Sequence, residues 1–245
     1  MIPSRRLNIN FYTNVLALVA NVCVGIYYTP YLVNTLGLIA YGILPLALII
    51  NQYISIATQT FTHSFTRFYS VAIQQDNYDE ASKDISTSLV VVLLISCLVI
   101  PLGLWISYNV DLLFQIPAEL LTSAKYLFLY TILSFIVSMF SSLLNVTLYA
   151  INRLDLMNVL KIIRSIFKLI FVILFFQTIK VDVIYVGIAN LLTELIVLLL
   201  SVIMFYRYKP SSLSISYTHF DKAVLHSIMA MSIWVLIQLD RKSVV

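Results

Sequence analysis

Charge is what this 245-residue chain has least of: Asp, Glu, Lys and Arg together make up 11% of it, against about 25% in soluble domains. Glycine is scarce as well, with five in all, and neither a Gly-rich phosphate loop nor a G-x-S-x-G turn is present. The two cysteines, Cys23 and Cys97, fall inside long apolar runs, so they are expected to be buried filler and not a disulfide pair. The histidines, His63, His219 and His226, are too far apart in sequence to form a metal motif. These absences remove the usual signatures of hydrolases, nucleotide-dependent enzymes and zinc enzymes, and the chain is read as a non-enzyme without a metal or cofactor. What is abundant is apolar surface: 61% of residues are hydrophobic, with a mean hydropathy of +0.96. No globule of this length could hide so much apolar surface behind so few charges. The composition is that of an integral membrane protein.

A hydrocarbon core ~30 Å thick needs about 20 apolar residues per helix. Six such stretches are expected at about 9–33, 39–66, 86–108, 121–150, 157–178 and 183–206, and a partial seventh begins near 221. Strands of a membrane barrel would alternate polar and apolar residues over about 10 positions, and no stretch does so. The fold class is therefore all-α and polytopic. The first apolar run is longer than the 7–15 residues of a signal peptide core and lacks a small-residue cleavage site. Asn145-Val146-Thr147 matches a glycosylation sequon but lies within a span, which discounts it.

Lys and Arg set the orientation. Ten cluster at one set of ends (Arg5, Arg6, Arg67, Lys83, Arg153, Lys161, Arg164, Arg207, Lys209 and Lys222), against Lys125 and Lys180 at the other. The amino terminus is expected in the cytoplasm. The net charge of +4 is thus a topology signal, and nucleic acid is not an expected partner.

Polar residues recur inside the spans. Asn10, Asn14, Asn21 and Tyr28 mark one side of span one, with Gly25 beside them. Span two carries Gln52, Ser55, Gln59, His63 and Thr66, flanked by Asn51, Thr58 and Thr62. So many large polar groups point to a water-filled cavity rather than to packing alone. Ser134, Ser138, Ser141 and Asn145 in span four fit either interhelical hydrogen bonding or cavity lining.

The sharpest feature is LKIIRSIFKLIFVILFF at 160–176. Lys161, Arg164 and Lys168 are spaced by three and four residues, one column on a helix. Lys168 would lie ~16 Å deep, and Glu194 on the next, antiparallel span ~17 Å deep, so the two can meet near the midplane. Lys161 can snorkel to the headgroups, Arg164 less easily, and Lys168 is expected to pair with Glu194 or face water. A ladder of cations suits an anionic cargo, and Arg presents a fork of donors to phosphate oxygens.

The stretch PYLVNTLGLIAYGILPLALIINQYISI at 30–56, with its Leu36-Gly37 and Tyr41-Gly42 pairs, resembles the first lobe of bacterial polysaccharide flippases. THSFTRFYSVAIQQDNYDEASKDIS and LYAINRLDLMNVLKIIRSIFKLIFVIL at 148–174 are similar to that family's junctions between spans two and three and between spans four and five. These are the O-antigen, capsule and teichoic-acid unit exporters of the multidrug/oligosaccharidyl-lipid/polysaccharide (MOP) superfamily. The resemblance implies one six-helix lobe facing a second across a cavity that opens alternately to each side of the bacterial inner membrane. The implied cargo is an undecaprenyl-diphosphate-linked oligosaccharide whose lipid tail stays in the bilayer lipids. By position, it implies Arg67, Arg164, Lys168 and Arg241 as diphosphate-facing cations. The polar lining would be Asn14, Asn21, Gln52, Gln59 and His63, and Glu194 would couple transport to a proton or sodium gradient.

Members of that family run to twelve or more spans. The sequence is accordingly divided into an amino-terminal lobe at 1–206, a cytoplasmic inter-lobe loop at 207–220 and the start of a second lobe at 221–245. After Asp240-Arg241 the chain passes into Lys242-Ser243-Val244-Val245, which leads to the expectation of a truncated form needing a second lobe or a homodimer. A multidrug or small-cation exporter of the same superfamily is the alternative, although its cavity should favour acids. A membrane oligosaccharide polymerase or ligase is a third, although the short loops at 34–38, 109–120 and 179–182 leave little room for a catalytic segment.

Overall fold

The computed structural model describes residues 4–216 and 219–243, with side chains for all of these except Ser4, Arg5, Leu7, Ala57 and 235–243. Every regular element among them is helical. In lipid each backbone N–H and C=O must find a partner inside the protein, and a helix provides that within one segment. The long helices are α1 (Ser4–Leu36), α2 (Leu38–Gln74) and α3 (Tyr78–Tyr108), then α5 (Leu121–Ala150), α6 (Leu154–Thr178), α7 (Val183–Tyr208) and α8 (Lys222–Ser243). A short α4 (Val110–Leu113) and a 3-10 turn (Ala118–Leu120) lie between α3 and α5. α1, α2 and α3 run past the expected spans by a turn or more, most of all α2 and α3, whereas α5 keeps the expected bounds. At 1.5 Å per residue a 37-residue α2 is ~55 Å long and projects beyond the hydrocarbon core.

The breaks between helices follow local chemistry. Gly37 has φ 80°, a left-handed conformation that glycine takes without a Cβ penalty, and it separates α1 from α2. Asp76 and Asn152 hold φ 57° in the turns after α2 and α5, where short polar side chains tolerate that geometry. Asn77 caps α3 by accepting from the Glu80 backbone N–H and donating Nδ2–H to Glu80 Oε2 at 2.7 Å. Asp182 caps α7 through Ile184 N at 3.1 Å, and its other oxygen accepts from Ser123 Oγ at 3.0 Å.

α5 and α7 make the most extensive contact, α2 and α3 pack on other sides of α5, and α1 pairs with α6. Small residues permit the close approach: a Cβ on Gly187 of α7 would meet Tyr130 Cβ at 3.1 Å. Five described helices or helix segments are long and apolar enough to cross a membrane: α1, the first half of α2, α3, α5 and α7. α6 falls outside that set because Lys161, Arg164 and Lys168 interrupt it, yet it lies packed between α1 and α7. Apolar side chains such as Leu98, Leu199 and Ile203 stand fully outward, as expected of a surface solvated by lipid. Cys23 and Cys97 belong to that outer surface too, so the expectation that they are buried is corrected: lipid-facing positions need apolar, not enclosed, side chains.

The segment expected to be an inter-lobe loop is docked along the start of α3. Ser82, Ser86 and Thr87 hydroxyls accept from the backbone N–H groups of Ser214, Ser216 and Asp221 at 3.1, 3.2 and 3.1 Å. Lys83 faces Asp221 at 3.7 Å, and Leu213 is fully buried. α8 continues from this strap and packs against α2 and α3. Each hydrogen bond contributes about 0.5–1.5 kcal/mol, so replacing all three hydroxyl residues by Ala should free the strap. Limited proteolysis of membranes is expected to cut the triple variant within 209–221 several-fold faster than the parent.

Candidate functional site

The basic ends of α2, α5 and α6 enclose a cavity of about 670 Å³, which α7 closes at Val197. α2 contributes Thr62, His63, Thr66, Arg67, Ser70 and Gln74 at helical spacing, so one face of the helix lines the space. α5 adds Ser142, Asn145 and Tyr149, and α6 adds Met157, Lys161 and Arg164. Three cations therefore converge on it, and no Asp or Glu is among its lining residues. His63, Arg67 and Lys161 are exposed, and among the described residues neither Arg67 nor Lys161 has an ion-pair partner. Ser70 Oγ and Asn145 Oδ1 are buried there without a hydrogen-bond partner in the protein, which leaves polar capacity for a solute or water.

Several hydroxyls of the α2 stripe satisfy themselves within the helix. Thr58, Thr62, Ser64 and Thr66 donate to carbonyls one turn earlier at 3.2, 2.9, 3.0 and 2.6 Å. Ser134, Ser138 and Ser141 of α5 do the same, so they do not act as interhelical fasteners. The polar side of α1 does that job. Asn10 Oδ1 accepts from Asp155 N at 3.0 Å, Asn158 Nδ2 approaches Thr13 Oγ1 at 3.3 Å, and Asn21 Oδ1 accepts from Ser165 Oγ. Asn14 lines a separate cleft with Asn10, Asn158 and Lys161. Gln52 and Gln59 are exposed and line neither space. Of the expected polar lining, only His63 faces the main cavity. The side chain of Arg241 lies outside the described residues.

The midplane charges pair differently from expectation. Glu194 is held by Arg164: Nη2 donates to Oε2 at 3.0 Å, and Nε stands 2.8 Å from Oε1 as a charge contact outside hydrogen-bond geometry. Lys168, one turn further along α6, has no ion pair among the described residues; its ammonium lies 5.0 Å from the centroid of the Tyr28 ring. The physical reason is reach. Depth along a helix places Lys168 and Glu194 at one level, but the planar guanidinium of Arg164 extends a turn and meets both carboxylate oxygens. Lys168 does not line the main cavity, whereas Arg164 lines both it and the midplane space. Residues that sequence reasoning did not single out are Ser70, Gln74, Ser142 and Tyr149. Their signal was their spacing of three, four or seven residues from Arg67 and Asn145.

No protein-family model matches the chain. An uncharacterized membrane protein of Bacillus subtilis (strain 168), EpsK, is 24% identical over 243 residues, covering 96% of this chain and 48% of its own length. The chain thus spans about half the length of the curated relative it matches. Solved transporters share the fold. The Vibrio cholerae MATE transporter VcmN, in mutant form, superposes with a TM-score of 0.79 at 12% identity, over 96% of this chain and 54% of that one. A MOP superfamily transporter from Pyrococcus furiosus, whose binding pocket is described as having reverse polarity, gives 0.74 at 14% identity, over 96% and 50%. The chain is a multi-pass membrane protein with the fold of one lobe of a MATE transporter of the MOP superfamily.

Proposed function

We propose that the chain is one lobe of an exporter that moves a lipid-linked oligosaccharide across a bacterial inner membrane, with its diphosphate drawn to the cavity of Arg67, Lys161 and Arg164. The observation that carries this reading is the charge of that cavity: three cations and no acid line about 670 Å³, and two of the cations, Arg67 and Lys161, have no ion-pair partner among the described residues. Such a lining lowers the cost of bringing phosphate oxygens into a low-dielectric space and raises the cost for a cationic drug. Ser70 and Asn145 leave hydrogen-bonding capacity on the same wall for hydroxyl-rich sugar. The basic end faces the cytoplasm in this reading, and a second lobe supplies the opposite wall. A proton or sodium ion acting at Glu194 would have to compete with the Arg164 guanidinium, which makes Glu194 a poorer coupling site than its depth alone suggested.

The test is complementation in a strain lacking its oligosaccharide flippase, with surface polysaccharide as the readout and membrane levels checked by blot. This chain alone and this chain joined to a second lobe are compared. Restored polysaccharide in either form supports the reading. No polysaccharide at good expression, together with raised resistance to cationic drugs, would replace it by the multidrug alternative.

A further inference from the structure

Beyond Arg164, two small cavities of about 210 and 170 Å³ share Leu48, Thr131, Lys168 and Asn190. The charged residues lining them are Arg164, Lys168 and Glu194, two cations and one acid. Both oxygens of the acid lie against Arg164, Oε2 as a hydrogen-bond acceptor and Oε1 at ion-pair distance. That leaves the Lys168 ammonium with three donors, no acceptor among the described residues and one aromatic face at 5.0 Å. A cation–π contact contributes about 0.5–2 kcal/mol, whereas taking an ammonium out of water costs several kcal/mol unless a counter-charge accompanies it. A second donor stands near it: Tyr28 lines the smaller cavity, and its Oη is buried without a hydrogen-bond partner. Asn51 Nδ2 is used on the Thr131 carbonyl at 3.0 Å, while its Oδ1 is unpartnered and calls for a water or other donor.

We infer that Lys168 and Tyr28 form a binding site for a small monovalent anion of the chloride class, hydrated on the Asn51 side. Charge requires an anion, since one more negative charge brings the three-residue cluster to neutrality. Size requires a small one: liquid water occupies about 30 Å³ per molecule, so either cavity holds an ion with a few waters but not an oligosaccharide diphosphate. The site is distinct from the main cavity, which Lys168 does not line.

The experiment is thermal unfolding of the full chain in lipid nanodiscs, in sodium chloride against sodium gluconate at equal ionic strength. Gluconate is too large for the site. Chloride is expected to raise the midpoint by several degrees with a saturating dose dependence. Lys168→Met should lose that dependence while unfolding at or above the parent's midpoint in gluconate, because it removes the uncompensated charge. Tyr28→Phe keeps the ring beneath the ammonium and should weaken the chloride response several-fold. Equal midpoints in the two salts, or a response that survives Lys168→Met, would overturn the site. A response through Lys168 to sodium pyrophosphate but not to chloride would also overturn it, assigning the ammonium to a phosphate path instead.

Discussion

Arg164→Ala should cost the protein its stability before it costs any transport. The carboxylate of Glu194 is 14% exposed and receives two contacts from that one guanidinium. Removing one partner of a buried pair strands the other charge, at a loss of about 3–5 kcal/mol; because the Arg164 side chain is 39% exposed, the lower end applies. Glu194→Gln alone strands the guanidinium, which can turn toward the main cavity and its water, so its loss should be smaller. The double variant Arg164→Met/Glu194→Gln removes both charges and should recover most of the stability. Unfolding midpoints of the three variants in one lipid composition check this order. If Arg164→Ala matches the parent, the pair is a surface contact and the midplane is wetter than the packing implies.

Arg67→Glu and Lys161→Glu behave in the opposite way. Both side chains are exposed and unpaired among the described residues, so their replacement strands no charge and should leave the unfolding midpoint nearly unchanged. Yet each places a carboxylate in a wall that has none. Two like charges ~4 Å apart at an effective dielectric of about 20 repel by about 4 kcal/mol, and each 1.4 kcal/mol is tenfold. Export of a diphosphate-linked cargo in a complementing fusion should therefore fall more than ~100-fold for either reversal. Lys161→Arg should retain most of it. Normal surface polysaccharide in both reversals would remove the cationic wall from the reaction path.

The contrast between these predictions shows where sequence reasoning reached its limit. Lys161, Arg164 and Lys168 form one column on paper, and a column invites one role. In the folded chain they divide into a cavity cation, a cation shared between that cavity and Glu194, and a half-buried ammonium over Tyr28 outside it. Spacing along α6 specifies the face these residues share, but not the rotation of α6 against α7 or the reach of each side chain. The asparagines of α1 show the same limit. Their spacing marked a polar face correctly, but only the packing of α1 on α6 reveals that Asn10 and Asn21 bind a neighbouring helix.

By itself the sequence determined the solvent, the number and order of the long helices, the sign of the charge at each end and the polar faces. Those properties follow from composition and from periodicity along one chain, because lipid admits almost no backbone geometry but a helix. The tertiary structure alone decided that Arg164 rather than Lys168 holds Glu194, that His63 and not Gln52 or Gln59 faces the cavity, and that Ser214, Ser216 and Asp221 are docked on α3. These depend on distances between segments far apart in sequence, and hydrogen bonds and charge pairs change over a few ångströms, finer than any helical repeat can resolve.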